Sequence, residues 1–348
     1  MLYQNADIFA EKNLLNSTQI KSIAQFNNSD LSWQNYSCIC EKNSNSSDKL
    51  ICNKDRYGLN LSIYICNNCG MIRPIPYYDT KTLNNFYKNF YRGIYDANDP
   101  ESIFSGQLLR GKKYSKLLKN LGIKGKSILE IGCGAGGILI PFTGSWKKCV
   151  GYDYDQNYLD FGNKKNSNIQ LKFGGLDDAV ENELNKFDVV ILSHVFEHIP
   201  DLNIFLDKIR ILLNSNGKII IAVPSNKSIF KRSEYEYDFR WYLMNAHAWY
   251  FSQEHLSFVF KKNGFNQLFL SDGEPLESAK NAATFEIEDI TAIFEKNNKD
   301  HLEITSLSAP KISKRHKRMI MISKFLQFFY VLRILNSIFL KLRLKLRN

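Results

Sequence analysis

Several features of secreted and membrane-spanning chains are missing from this sequence. Seven cysteines in 348 residues are few, and five of them, Cys38, Cys40, Cys52, Cys66 and Cys69, crowd into one stretch. In a reducing compartment such crowding favours a metal over disulfides. No run reaches the ~20 apolar residues of a spanning helix. The longest, Phe325 to Leu340, is interrupted by Gln327, Arg333 and Asn336. The N-terminus, MLYQNADIFAEKNLL, carries Asp7 and Glu11 where a secretory leader has a basic start and an apolar run. The expected location is the cytoplasm. Internal repeats are also lacking.

Acidic residues are absent from 311–348, which holds 11 Lys and Arg. That number equals the formal net charge of +11, so the first 310 residues are neutral overall. A chain basic throughout points to nucleic acid, whereas a neutral body with one cationic segment points to a single localised electrostatic contact. The tail also carries Phe, Leu and Ile in quantity, too many for phosphate tracking. It is expected to be an amphipathic helix lying at an anionic membrane surface, on the inner face, with cations at the headgroups. A helix packed on the body or on a partner protein is the alternative.

Three further zones precede the tail. Residues 1–100 are rich in Asn, Tyr and Cys. Residues 105–270 alternate short apolar runs with helical patterns, and SILEI, KCVGYD, IQLKF, FDVVILS and KIIIAV are predicted strands. That alternation predicts an α/β fold, a doubly wound Rossmann-like parallel sheet with helices on both faces. Residues 271–310 are a weakly patterned extension.

The first predicted strand runs into a glycine-rich turn, "SILEIGCGAGG" (127–137). Gly132, Gly134 and Gly137 fit the G-x-G-x-x-G of dinucleotide sites. Gly132, Gly134 and Gly136 with Glu130 fit E-x-G-x-G-x-G. Asp153, closing the second strand, suits ribose hydroxyls in either case. Glu130 discriminates, since a pyrophosphate site needs no acid there. "KFDVVILSHVFEHIPDLNIFLDKIRILLNSNGKIIIAVPS" then follows where a fourth strand, a helix and a fifth strand are due.

With those elements in order, residues 105–270 resemble the class I S-adenosylmethionine-dependent methyltransferases, whose sheet has seven strands. The resemblance implies that Glu130, Gly132, Gly134 and Gly136 form the cofactor loop. It implies that Asp153 binds the ribose and that Asp177 lies near the adenine, with Asp178 an equal candidate. His194 to His198 fall in the segment near the methionine end and the substrate. His247, in "NAHAWYFSQEHLSFVFKKNGF", matches the family's segment after strand five, where substrate-facing residues fall.

His194-Val195-Phe196-Glu197-His198 also spells H-x-x-E-H, an inverzincin protease pattern. That chemistry needs both histidines on one helical face. Pro200 cuts the segment too soon, and we discard the protease reading. Related methyltransferases that act on phenolic quinone precursors carry acid, acid and His here and bind a divalent ion. This chain departs from them at the first acid. Transfer from a sulfonium asks the protein to position the acceptor and remove its proton, a task suited to His194, His198 or His247. His255, on the next predicted helix, has a structural reading.

Cys66-x-x-Cys69-Gly70 is a knuckle that aims two thiolates at one metal. Cys38-x-Cys40 is its expected partner, with Cys52 a competing ligand. "DRYGLNLSIYICNNCGMIRPIP" (55–76) and the L-x-x-F-Y pattern from Leu83 to Tyr91 resemble a ribbon that opens methyltransferases of sugar-nucleotide and surface-polysaccharide pathways. The expectation is a zinc-binding module at about 36–76, with structural zinc on Cys38, Cys40, Cys66 and Cys69. Tyr77, Tyr78, Tyr87 and Tyr91 offer faces to a sugar or base, or pack beneath the domain.

The expected activity is methyl transfer from S-adenosylmethionine to a small-molecule or glycan acceptor, a sugar nucleotide or surface polysaccharide. An RNA methyltransferase is the alternative enzyme, disfavoured by the neutral body. A membrane-tethered adapter that keeps the fold without catalysis is the alternative of another class.

Overall fold

A computed structural model describes residues 15–41, 48–95, 99–183, 186–230, 242–271, 274–275 and 288–297. The tail 311–348, with its membrane expectation, lies outside the described residues. The chain divides into two compact units, one built from Met1–Asp96, Ser228–Ala248 and Pro310–Asn348, the other from Ala97–Lys227 and Trp249–Ala309.

In the first unit, helix α1 (Ser17–Asn27) starts at Asn16, whose side chain accepts from the Gln19 amide at 2.9 Å. Strands β2 (Lys49–Lys54), β3 (Asn60–Ile65) and β4 (Ile72–Pro74) form an antiparallel meander, and β1 (Trp33–Gln34) pairs with β5 (Tyr77–Tyr78). Helices α2 (Thr80–Asn89) and α3 (Tyr91–Tyr95) follow. Phe26 of α1 packs its ring 5.0 Å from Phe86 of α2 and 5.5 Å from Tyr78. The tyrosines largely contact one another. Tyr77 and Tyr78 are buried, and the Tyr91 ring lies 5.5 Å from Tyr87 and 4.8 Å from Tyr95. Asn245, fully buried, ties residues 242–248 into this unit. Its amide donates to Asp55 Oδ2 at 2.9 Å, and its carbonyl accepts from the Tyr77 hydroxyl at 2.9 Å.

The second unit is one sheet with helices on both faces. Helix α4 (Pro100–Asn120), capped by Asp99 with Pro100 in its first turn, leads into β6 (Ser127–Ile131). Then come β7 (Lys148–Asp153), α5 (Gln156–Lys165), β8 (Gln170–Phe173), α6 (Leu176–Asn182), β9 (Phe187–Ser193), α7 (Leu202–Leu212) and β10 (Leu213–Pro224). Helix α8 (Gln253–Lys262) precedes β11 (Phe265–Leu270), β12 (Glu274–Pro275) and β13 (Glu288–Lys296). All five predicted strands are present. Their apolar runs are continuous, without alternation, because both faces of a parallel sheet are covered.

Strand order is β11-β13-β10-β9-β6-β7-β8, with β12 beside β13. The pairs β10/β9, β9/β6, β6/β7 and β7/β8 are parallel, and β13 runs antiparallel to both β10 and β11. This is the seven-strand Rossmann-like sheet that the resemblance implies. The order reverses between β6 and β9, which opens a crevice at their carboxyl ends.

The sheet extends past residue 270, where the sequence reading ends the domain. Strand β13 lies within the extension 271–310 and fills the gap between β10 and β11. Its stretch Asp289-Ile290-Thr291-Ala292-Ile293-Phe294 is buried throughout. A strand enclosed on all sides need not alternate, and its acidic and hydroxyl residues hide the pattern.

Candidate functional site

Strand β6 ends in a turn whose glycines Gly132, Gly134 and Gly136 take φ of +71°, +51° and +74°. A Cβ at Gly134 would stand 2.7 Å from Gln107 Nε2, and one at Gly132 2.5 Å from Val195 Cγ2. The positive φ therefore calls for glycine at both positions, and a side chain at Gly134 would also displace the Gln107 amide. The Gly132 and Cys133 amides donate to the Tyr152 carbonyl at 2.8 and 3.0 Å, which folds the turn against β7. Asp153, at the end of β7, accepts from the Gly134 amide at 2.8 Å and from the Asp155 amide at 3.0 Å. The loop and its acid are thus assembled as one piece.

Glu130 is fully buried beneath this loop, and neither carboxylate oxygen has a hydrogen-bond partner among the described residues. Burial pushes its pKa well up, and the Asp153 charge adds to this while Arg110 of α4 opposes it. A buried acid without a donor is a group waiting for one. A ligand ammonium or hydroxyl would supply that donor, whereas a pyrophosphate brings only acceptors. The residues present therefore fit S-adenosylmethionine, with the cradle at Gly132 to Gly136 and the acid at Glu130.

Asp177 and Asp178 have different surroundings. Asp177 is exposed and pairs with Lys208 Nζ. Asp178 Oδ2 accepts from the Gly175 amide at 2.7 Å and so caps α6. Two aromatic rings flank Asp153 on the chain side of β7 and β8. Tyr154 and Phe173 are 64 % and 60 % exposed and meet edge to face at 5.9 Å. Exposed rings at strand ends offer a stacking surface for a base.

The H-x-x-E-H segment folds as a single 3-10 turn, Phe196–His198, which excludes the long motif helix of a protease. His194 adopts φ +57°, rare for a residue with a side chain. Its Nε2 lies 3.2 Å from Asp289 Oδ2 and its Nδ1 3.5 Å from Glu197 Oε1. Glu197 Oε1 is also 3.8 Å from His198 Nε2. Burial pulls the His194 pKa down, but the charge and hydrogen bond of Asp289 and the bond to Glu197 outweigh it. The pKa rises to about 9, with Arg110 opposing. The Trp249 amide donates to the Glu197 carbonyl at 3.2 Å, and its indole donates to the Ile199 carbonyl at 2.8 Å. His247 belongs to the segment grouped with the first unit, where it is buried and its amide donates to the Met244 carbonyl at 3.1 Å. His255 completes a capping box with Ser252 at the start of α8.

The sequence reading assigns no role to Gln107, Arg110 or Asp289. Gln107 Nε2 donates to the Cys133 carbonyl at 2.9 Å, and its Oε1 accepts from the Gly137 amide at 3.3 Å. Its signal was a glutamine on the buried stripe Gln107, Gly111, Tyr114, Leu118 of α4, spaced at helical intervals. Asp289 had no local signal, being 95 residues from His194.

In the first unit the four cysteines named from sequence come together. The sulfurs of Cys38, Cys40, Cys66 and Cys69, all buried, lie within 4.8 Å of one another. Cys38 to Cys69 is 3.5 Å and Cys40 to Cys66 is 3.8 Å. A tetrahedral zinc with bonds of about 2.3 Å needs sulfurs about 3.8 Å apart, so the donor set fits that ion. Cys52 stands outside the cluster, donating to the Lys54 carbonyl at 3.2 Å. The knuckle turn is closed by the Cys66 amide on the Met71 carbonyl and the Gly70 amide on the Cys66 carbonyl. Beside it, Asp48 accepts from the Asn67 amide and pairs with the buried Arg73 at 3.0 Å.

Strand order and glycine loop are those of the Rossmann-like fold of class I methyltransferases. A family model described as "Methyltransferase domain" matches residues 107–268. Two curated relatives are each named ubiquinone biosynthesis O-methyltransferase. That of Nitrobacter winogradskyi is 26 % identical over 163 residues, 44 % of this chain and 62 % of the relative. That of Pelagibacter ubique is 28 % identical over 159 residues, 43 % of this chain and 64 % of the relative. The chain thus spans less than two thirds of either relative's length. Among solved structures, the N-methyltransferase NodS of Bradyrhizobium japonicum aligns over 58 % of this chain and 99 % of its own, with 15 % identity and a TM-score of 0.38.

Proposed function

We propose that the chain transfers a methyl group from S-adenosylmethionine to a small-molecule or glycan acceptor, a sugar nucleotide or surface polysaccharide. The partnerless buried carboxyl of Glu130 under a positive-φ glycine turn carries the cofactor half of this reading. When bound, the cofactor supplies a methyl carbon activated by a sulfonium. The turn at Gly132 to Gly136 and Glu130 would hold that group, and a histidine of the turn after β9 would take the acceptor's proton. Arg110, whose buried Nε has no partner among the described residues, would take the carboxylate of the cofactor's amino-acid end.

The acceptor class rests on the N-terminal module, which lies outside residues 107–268. Its ribbon resembles those of sugar-nucleotide and polysaccharide methyltransferases, and its four sulfurs suit a structural zinc. A hydroxylated aromatic acceptor is a second reading, favoured by the names of the curated relatives. Methyl-labelled cofactor offered with nucleotide sugars or with dihydroxylated phenols separates the two. Label in the phenol alone would reject the glycan reading. The tail 311–348 is proposed from its sequence to hold the enzyme at an anionic membrane. Failure to sediment with anionic vesicles at low salt would reject that.

A further inference from the structure

The carboxylate cluster around His194 has a consequence for which histidine receives the proton. Four ionisable side chains form a row: Asp289 of β13, His194, Glu197 and His198. Successive contacts are 3.2, 3.5 and 3.8 Å. Ionised carboxylates only accept hydrogen bonds. With one carboxylate at hydrogen-bond distance from Nε2 and another facing Nδ1 at 3.5 Å, the ring is most stable with a proton on each nitrogen, and then has no lone pair for a substrate proton. The backbone at His194 is held in the left-handed region, and its amide is fixed to the Ala222 carbonyl at 2.9 Å. Its position is therefore set from the β10 side as well. Asp289 and Glu197 are buried, and Asp289 Oδ1 and Glu197 Oε2 have no partner among the described residues, so these two carboxylates have little solvent to screen them.

We propose that Asp289 is a positioning residue of the transfer site. With Glu197 it pins the His194 ring from both nitrogens as a cationic strut, and of the two histidines of this turn it leaves His198 to accept the proton. The strut joins β13 to the turn after β9 and holds Glu197 in place, and Glu197 in turn faces the His198 ring. The pKa of about 9 at His194 agrees with a ring that stays charged at neutral pH. The charged groups acting on it are Asp289 from β13, Glu197 from its own turn and Arg110 from α4, the last opposing. The role of His198 rests on the methyl-transfer reading, whereas the strut itself does not.

The test uses the full-length chain with histidine-selective ¹⁵N labelling, titrated by NMR, with cofactor binding measured by calorimetry. The His194 ring should be protonated on both nitrogens at pH 7 and titrate above pH 8. Asp289→Asn should lower that midpoint by at least a unit while S-adenosylmethionine affinity stays within about threefold. Glu197→Gln should lower it too, which covers the case in which Asp289→Asn does not fold. In transfer assays His194→Gln should cost about tenfold in kcat and His198→Gln about 10²–10⁴-fold, the usual span for a lost general base. A neutral single tautomer of His194 at pH 7, or a midpoint unmoved in both carboxylate variants, would overturn the strut. Equal losses in the two histidine variants would overturn the assignment of His198. Absence of cofactor binding in the parent protein would reject the functional reading while the titration still decides the strut.

Discussion

Gln107 Nε2 donates to the Cys133 carbonyl across 2.9 Å, and the same side chain accepts from the Gly137 amide at 3.3 Å, so one residue of α4 spans the glycine turn. The turn's shape is therefore not a property of the glycines alone. Gln107→Ala removes two buried hydrogen bonds, each worth about 1 kcal/mol. We expect the melting temperature to drop by several degrees and cofactor affinity to weaken by about tenfold. Calorimetry and thermal melts measure both, and unchanged affinity would place the brace outside the site.

Gly134→Ala meets two obstacles, a backbone at φ +51° and a Cβ 2.7 Å from Gln107 Nε2. Strain of this kind costs about 1–3 kcal/mol, enough to weaken cofactor binding by about 5- to 150-fold. Gly144→Ala is the control, because an added Cβ there meets nothing within 4 Å. Equal behaviour of the two variants in a binding titration would contradict the cradle.

The cysteine cluster predicts one zinc per chain by elemental analysis. Cys66→Ser should lose the metal and lower the melting temperature, whereas Cys52→Ser should retain it, since Cys52 bonds a backbone carbonyl outside the cluster. Metal lost equally from both variants would bring Cys52 back as a ligand.

His194 gives stability a definite pH dependence. Its pKa is about 9 in the fold and about 6.5 in an open chain. A raised pKa means that the native state holds the proton more tightly. The contribution, about 3 kcal/mol at most by the linkage relation, is complete below pH 6.5 and disappears as pH rises through 9. Urea midpoints should fall between pH 6.5 and 9.5, and Asp289→Asn should flatten that slope. A variant with the parent's slope would show that another group is responsible.

These residues also show where sequence reading succeeds and where it ends. Glu130, the glycines and Asp153 were legible because the chemistry and the turn geometry sit within a few residues of strand ends. Cys66 and Cys69 were legible for the same reason. Whether Cys52 replaced Cys38 or Cys40 beside them was not, because β2 pairing sets the direction of the Cys52 side chain. Asp289 and strand β13 were illegible, since a strand inserted between two others acquires its burial from partners far away in the chain. The place of His194 in the turn after β9 was legible, but the protonation state proposed for it depends on that distant strand.

The central claim is that the turn after β6 binds a sulfonium nucleoside. Calorimetric titration of the purified chain with S-adenosylmethionine, and separately with NAD, tests it most directly. One-to-one binding of S-adenosylmethionine, weakened by Glu130→Gln, and no heat from NAD are expected. Saturable binding of NAD with none of S-adenosylmethionine would contradict the claim.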